Sequence, residues 1–330
     1  MSRRKALASG AAAAGFLSGA GSVKKAQARP PGPDESYRKR IQPGKTPIRI
    51  CADLRRPENG TITGRIKEIR ETGHTGTYMY HSYWKGITKT EIAEIREALD
   101  RYGIVMFEFG GYVNMLHPDA ATRERFLKLL VECIETAESL GCPMVGTISG
   151  SCDEHPYGIN VHPDNWTLAA WKLLVKGIRQ VLKDTAGSGV ALGMEAQVTT
   201  NLDSPRAHKR LMEDVGDKRC VVNLDPTNMV TLESYYHTGE LIDECFELLG
   251  ESIYGCHAKD TYIWPDKQTV HIQEVCPGRG VLDYETYLAR MSKMAWPRTL
   301  RPEHIPDDQY AEAETYIRTV AKKIGVAILE

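Results

Sequence analysis

The stretch VALGMEAQ, residues 190–197, sets Val190, Leu192, Met194 and Ala196 against Ala191, Gly193, Glu195 and Gln197. Successive side chains on a strand point to opposite faces, so one face here is continuously apolar and the other is small, then polar at its end. Such a division suits a strand in a closed barrel, with bulky residues turned out to covering helices and small or polar ones turned in. CVVNLDP (220–226) repeats it, opposing Cys220, Val222 and Leu224 to Val221, Asn223 and Asp225. In IYGCHAKD (253–260) His257 and Lys259 share a face, as do Thr299, Arg301 and Glu303 in TLRPEH (299–304). Each of these inward faces ends in an ionisable group.

Four further strand-like segments precede these: IRICADL (48–54), GTYMYH (76–81), IVMFEFG (104–110) and MVGTISG (144–150). Between strands lie segments of helical period, the clearest at 88–103, 122–141, 166–184 and 234–250. Gly103, Gly141 and Gly250 stand where helix C-caps belong. Eight strands alternating with helices predict a single (β/α)8 TIM barrel over residues 47–330, a length that suits the roughly 250 residues typical of that fold. The alternative, an open doubly wound sheet, would carry a Gly-rich phosphate fingerprint after its first strand, and CADLRRPENG (51–60) has none.

Residues 1–28 differ in kind. They hold no Asp or Glu, begin with a basic SRRK segment, continue through ALASGAAAAGFLSGAG and end in AQA. This is expected to be a cleaved export signal rather than a membrane anchor, because the apolar stretch falls short of about 20 residues and is diluted by Gly and Ser. Arg3-Arg4, with Leu7 and the later Lys24-Lys25, resembles a twin-arginine signal, although Ala6 stands where that motif usually has phenylalanine. The expected location is therefore periplasmic, with no stable membrane insertion after cleavage. Residues 29–46, rich in Pro and charge, read as a flexible lead-in. Without the signal the chain has 37 basic and 43 acidic residues, a net charge of −6. A mildly acidic protein is a poor nucleic-acid binder. The eight cysteines (51, 133, 142, 152, 220, 245, 256, 276) form no CxxC pair and several lie in apolar runs, which suits buried free thiols as well as disulfides.

The chemistry is expected at the ends of the fifth to eighth strands, where Glu195, Asp225, His257 and Glu303 fall at intervals of 30, 32 and 46 residues. The longest interval carries an extra loop, 261–281. In a barrel these ends converge on one face. A single strand-end carboxylate more often caps a helix or pairs with a cation, and a single histidine more often packs. Four in corresponding positions point elsewhere: three carboxylates and an imidazole about one point repel unless a cation lies between them. One divalent ion, Mn²⁺, Mg²⁺, Co²⁺ or Zn²⁺, is expected.

MEAQ, LDPTN (224–228), CHAKD, PGRGVLDY (277–284) and PEH give the chain, from about residue 48 to 325, a resemblance to the xylose isomerase-like barrels. That family includes sugar isomerases and epimerases and metal-dependent endonucleases of abasic DNA. The resemblance implies that Glu195, Asp225, His257 and Glu303 bind one metal, and that Glu195 and Glu303 also move a proton beside a carbonyl through a metal-stabilised enediolate. Lys259 is expected to place positive charge over a substrate oxygen or to pair with a carboxylate. Arg279, in a Pro-Gly-Arg-Gly loop, is expected to contact substrate, with Asn228, Gln197 and His155 as further binding residues. Ketose 3-epimerases of the family tend to carry a histidine three residues past the metal aspartate. Asn228 stands there and cannot donate a proton near neutral pH.

The loops 110–119 and 151–166, with Tyr112, Asn114, His117, His155, Tyr157, His162 and Trp166, are expected to wall a sugar site. The first expectation is a sugar isomerase or epimerase, with room for homo-oligomers. Second comes a lyase that uses the same metal and glutamates on 3-keto-glycosides, which export would favour. An abasic-site endonuclease, needing more histidines and a basic groove, and a non-catalytic carbohydrate-binding barrel follow.

Overall fold

The computed structural model describes residues 39–330, so the export-signal reading and the first part of the lead-in lie outside the described residues. Eight parallel strands close into a barrel: β1 (Ile48–Asp53), β2 (Gly76–Tyr80), β3 (Val105–Gly110), β4 (Met144–Ile148), β5 (Ala191–Glu195), β6 (Cys220–Leu224), β7 (Ile253–Ala258) and, after a hairpin of β8 (Asp260–Ile263) and β9 (Ile272–Val275), β10 (Arg298–Pro302). β10 lies between β7 and β1, which completes the ring. Helices α1 (Ile62–Glu71), α2 (Lys89–Tyr102), α3 (Ala120–Leu140), α4 (Leu168–Asp184), α5 (Pro205–Val215), α6 (Thr238–Leu249), α7 (Tyr284–Met291) and α8 (Tyr310–Ile324) cover it. The TIM barrel expected from the alternation is the fold observed. None of the described helices is long and apolar enough to cross a membrane.

The two faces of β5 do what their composition dictates. Val190, Leu192, Met194 and Ala196 join the large core between strands and helices. Ala191 instead packs inside the barrel with Met144 and Val221, against Phe107 and Tyr254. Little space remains above this layer. A Cβ on Gly255 would stand 2.6 Å from Asn223 Oδ1 and 2.8 Å from the Phe107 ring, so glycine is required where β7 crosses the interior.

Helix ends follow local chemistry. Thr88 and Glu91 form a reciprocal capping box on α2, and Gly103 closes that helix in the left-handed conformation at φ 64°. Asp119 caps α3 by accepting from Thr122 N, and Gly141 closes that helix in the left-handed conformation. The segment 234–250 begins its helix only at Thr238, because Ser234 and Thr231 hydrogen-bond to each other in a preceding turn.

The loop 261–281 proves to contain the β8–β9 hairpin, anchored at its base by Asp260. This buried carboxylate accepts backbone N–H bonds from Thr261, Gly278, Gly280 and Leu282 at 2.8–3.0 Å. The lead-in's last residues also meet the barrel: Arg40 pairs with Asp243 at 2.5 Å, and Gly44 donates to Ser292 Oγ at 2.8 Å. All eight cysteines are unpaired, seven of them buried.

One buried group makes folding sensitive to acid. His208 on α5 is 1% exposed with no partner for Nε2, and burial pushes its pKa down to about 3. The unfolded chain protonates it near pH 6.5 and the folded chain does not, so its cost appears as pH falls below about 6.5 and grows by about 1.4 kcal/mol per unit down to the folded value. His208→Leu is expected to retain about 2 kcal/mol more stability than the wild type on going from pH 7 to pH 5. Urea denaturation at both pH values measures this, and identical losses in the two proteins would contradict it.

Candidate metal centre

Glu195 is the last residue of β5, Asp225 and Glu303 follow β6 and β10 directly, and His257 is the penultimate residue of β7. All four side chains are buried, and one ligand atom from each lies within 4.8 Å of the others. His257 Nδ1 is 3.0 Å from Glu303 Oε1, 3.6 Å from Glu195 Oε2 and 3.7 Å from Asp225 Oδ2. Three of these atoms, His257 Nδ1, Asp225 Oδ2 and Glu303 Oε1, accept or donate no aligned hydrogen bond. Buried polar atoms left in that state are costly, and their convergence fits a cation between them. Three carboxylate oxygens and one imidazole nitrogen suit a divalent ion.

The surrounding residues fix the ligands. His257 Nε2 faces Glu108 Oε2 at 3.3 Å, which turns Nδ1 toward the cluster. Arg301, buried and in register with His257, bridges Glu108 Oε2 at 2.8 Å and Glu303 Oε2. Its guanidinium also lies over the rings of Tyr78 and Tyr80, at 4.6 and 5.3 Å. Glu195 accepts from Tyr112 Oη at 2.9 Å and from Asn228 Nδ2 at 2.6 Å. Lys259 Nζ lies 2.8 Å from Asp225 Oδ2 and 3.4 Å from Glu303 Oε1, and donates to Asn228 Oδ1 at 2.9 Å and Glu274 Oε1 at 3.1 Å.

Charge explains the protonation states. Four buried carboxylates, Glu108, Glu195, Asp225 and Glu303, surround two buried cations, Arg301 and Lys259. Burial pushes the Glu303 carboxyl up, but Arg301, His257 and Lys259 outweigh it and hold the group well below its ordinary value. Burial and Arg301 oppose a proton on His257, yet Glu303, Glu195 and Asp225 raise its pKa well above the usual range. The excess of two negative charges draws positive charge to Nδ1. Tyr112 keeps its proton, since burial and the adjacent Glu108 and Glu195 raise its pKa strongly.

A cavity of about 480 Å³ opens above the cluster. Glu195, Gln197 and Glu303 line it, whereas Asp225 and His257 lie beneath. Tyr112 and Tyr157, from the two loops expected to form the wall, also line it. Asn114 instead ties those loops together, donating to Asp153 O and His155 O and accepting from Ser151 N. His155 accepts from Tyr157 N at 3.3 Å and stacks beside its ring at 5.8 Å, behind the cavity lining. Arg279 makes a two-point pair with Glu312 on α8, at 2.8 and 2.5 Å, and does not line the cavity.

Sequence reasoning passed over Glu108, Tyr80 and Glu274, and noted Arg301 only as a residue on an inward face. Glu108 carried a usable signal: it is the polar residue of IVMFEFG, near the end of its strand as Glu195 is near the end of β5.

The family model for the xylose isomerase-like TIM barrel matches residues 66–322. No curated protein matches the chain by sequence. Among solved structures, a xylose isomerase domain protein from Planctomyces limnophilus superposes with a TM-score of 0.64 at 20% identity, covering 86% of this chain and 99% of its own. Endonuclease IV from Thermus thermophilus gives 0.64 at 14% identity, covering 83% and 99%. The apo 3-keto-D-glucoside 4-epimerase YcjR from E. coli gives 0.62 at 16% identity, covering 82% and 99%. These structural likenesses show the fold, and the match of the family model over most of the barrel shows that the chain belongs to the xylose isomerase-like TIM barrel family.

Proposed function

We propose that the protein is a divalent-metal-dependent sugar enzyme of the isomerase or epimerase type, removing and returning a proton on the carbon beside a carbonyl. One observation carries this reading: of the four converging side chains, Glu195 and Glu303 are the two that reach the cavity. They stand on β5 and β10, with β6 and β7 between them, so their carboxylates approach a bound ring from two sides.

A divalent ion held by Glu195, Asp225, His257 and Glu303 would supply Lewis-acid stabilisation of charge building on substrate oxygens, worth several kcal/mol. The protein's part is proton transfer. One glutamate takes the proton from carbon and the other returns it, each step contributing about 10²–10⁴-fold. Arg301 fixes Glu303, while Tyr112 and Asn228 fix Glu195, so neither carboxylate has to be ordered during reaction. Asn228 serves as a positioning amide. Lys259, engaged by two carboxylates of the cluster as well as Glu274, offsets negative charge at the edge of the site.

A second reading has the same proton abstraction followed by elimination. The C–H electrons form a carbon–carbon double bond, the glycosidic C–O bond breaks, and the departing oxygen takes a proton, leaving an unsaturated keto sugar. The extent of the cavity beyond the metal centre, toward Tyr83, Tyr157 and Ile159, favours it. Duplex DNA suits the lining less well: among the described residues that line the cavity Arg55 is the one Arg or Lys, and Asp53 pairs with it.

Both readings are tested by incubating the metal-loaded protein in D₂O with free sugars, keto sugars and glycosides. Deuterium bound to carbon in recovered sugar is the expected result for isomerisation or epimerisation. An aglycone released with an unsaturated keto sugar would select the lyase, and no exchange or release with any class would overturn the proposal.

A further inference from the structure

The cavity has two unlike halves. β5, β6, β7 and β10 bring the ligating side chains, whereas β2, β3, β4 and their loops bring Tyr80, Tyr83, Tyr112, Ile148, Tyr157 and Ile159. Three of these rings form a file leading outward. Tyr112 lies 5.9 Å from Tyr80, which meets Tyr83 edge-on at 5.6 Å. At the inner end the Tyr112 and Tyr80 hydroxyls reach Glu195 and Glu303, so the file starts at the proposed acid–base pair.

At the outer end the residues turn to solvent. Tyr83 is 47% exposed, Tyr157 54% and Ile159 43%. An isolated exposed apolar side chain is ordinary, but these three come from two loops, after β2 and after β4, and line one cavity. The loop that carries Tyr157 and Ile159 is also held in shape. Buried Asn165 accepts from Ser151 Oγ and Cys152 N at 3.0 and 2.8 Å, and donates to Asn160 O and Thr199 O at 3.1 and 2.9 Å. Together with Asn114 it presents the apolar residues on a fixed frame, which lowers the ordering cost of binding.

The chemistry of this arm selects its occupant. Arg55 lies over the Tyr83 ring at 5.4 Å, but its charge is met by Asp53 at 2.7 Å, so the arm does not call for an anion. Tyrosine faces and edges, with Ile148 and Ile159, suit a flat uncharged ring. A cavity of about 480 Å³ falls within the roughly 300–1,000 Å³ of pockets that enclose drug-sized ligands, which leaves space beyond one sugar ring at the cluster. We propose that the arm is a subsite for the aglycone of a keto-glycoside, an aromatic ring joined to a sugar whose ring ketone flanks the carbon that Glu195 and Glu303 act upon. This rests on the sugar reading above and narrows its substrate class.

The test measures binding rather than turnover. Metal-loaded protein is titrated calorimetrically with phenyl, methyl and glucosyl glucosides of each anomeric form, which lack the ring ketone and so bind without reacting. Phenyl glucoside is expected to bind about tenfold more tightly than the methyl compound, the effect of one good aromatic contact, and more tightly than the disaccharide. In a Tyr83→Ala, Ile159→Ser double variant the phenyl-over-methyl ratio is expected to fall to about one-third or less of its original value, while Tyr83→Phe keeps it. Equal binding of phenyl and methyl glucosides, preference for the disaccharide, no binding of any of them, or an unchanged ratio in the double variant would overturn the proposal. The two readings fail separately. A phenyl preference without deuterium exchange on any sugar refutes the reaction and keeps the subsite, whereas exchange on keto sugars without that preference refutes the subsite alone.

Discussion

Glu303→Gln is expected to reduce proton exchange at carbon by about 10²–10⁴-fold, the contribution of one general acid–base group, while the barrel stays folded. Glutamine keeps the shape of the side chain and loses the capacity to take a proton. The fold tolerates the change because Arg301 retains Glu108 at 2.8 Å as a buried counter-charge. The substitution also removes a carboxylate that Arg301, His257 and Lys259 hold ionised, so a lower thermal midpoint is expected with the barrel still folded. Exchange rates in D₂O and thermal unfolding, measured on the same preparation, separate the two effects. Near-normal exchange in this variant would refute the acid–base assignment.

The second large effect concerns the cation. Four buried carboxylates against Arg301 and Lys259 leave two negative charges in excess, which matches one divalent ion. A ligand that binds the folded chain alone stabilises it by RT ln(1 + [L]/Kd), about 4 kcal/mol at a thousandfold excess over Kd. Mn²⁺ or Mg²⁺ is therefore expected to raise the thermal midpoint of the chelator-treated protein, and His257→Ala to remove the rise. His257→Ala deletes the one nitrogen donor and leaves the three carboxylates without an ordered partner at their centre. A midpoint that chelator and metal leave unmoved would contradict the charge argument.

Much of this architecture is legible in the sequence because strand alternation is a local property. VALGMEAQ and CVVNLDP announce an inward and an outward face without knowledge of neighbours, and a barrel then forces Glu195, Asp225, His257 and Glu303 together. The hairpin of β8 and β9 was not legible. Its strands are short and β9 is largely exposed, so no apolar period marks them, and the fold of the segment depends on Asp260 gathering four N–H groups from residues up to 22 positions away. The partners of the ligands were hidden for a different reason. That Arg301 would bridge Glu108 and Glu303 depends on closure of the barrel, which spacing along the chain does not report. Arg279 illustrates the limit of motif reading. PGRG does form a tight loop, but the tightness serves Asp260, and the arginine turns to Glu312 on α8. Asn228 shows the reverse, since a departure from the pattern of related epimerases becomes intelligible once its amide is seen between Glu195 and Lys259.

A count of metal per chain decides whether the four converging side chains form a metal centre. Chelator-treated full-length protein, reloaded with Mn²⁺ and freed of excess by gel filtration, is analysed for metal beside an Asp225→Asn, His257→Ala double variant. One equivalent in the wild type and none in the variant is the predicted result. A wild type that retains no metal, or a variant that retains as much, would contradict it.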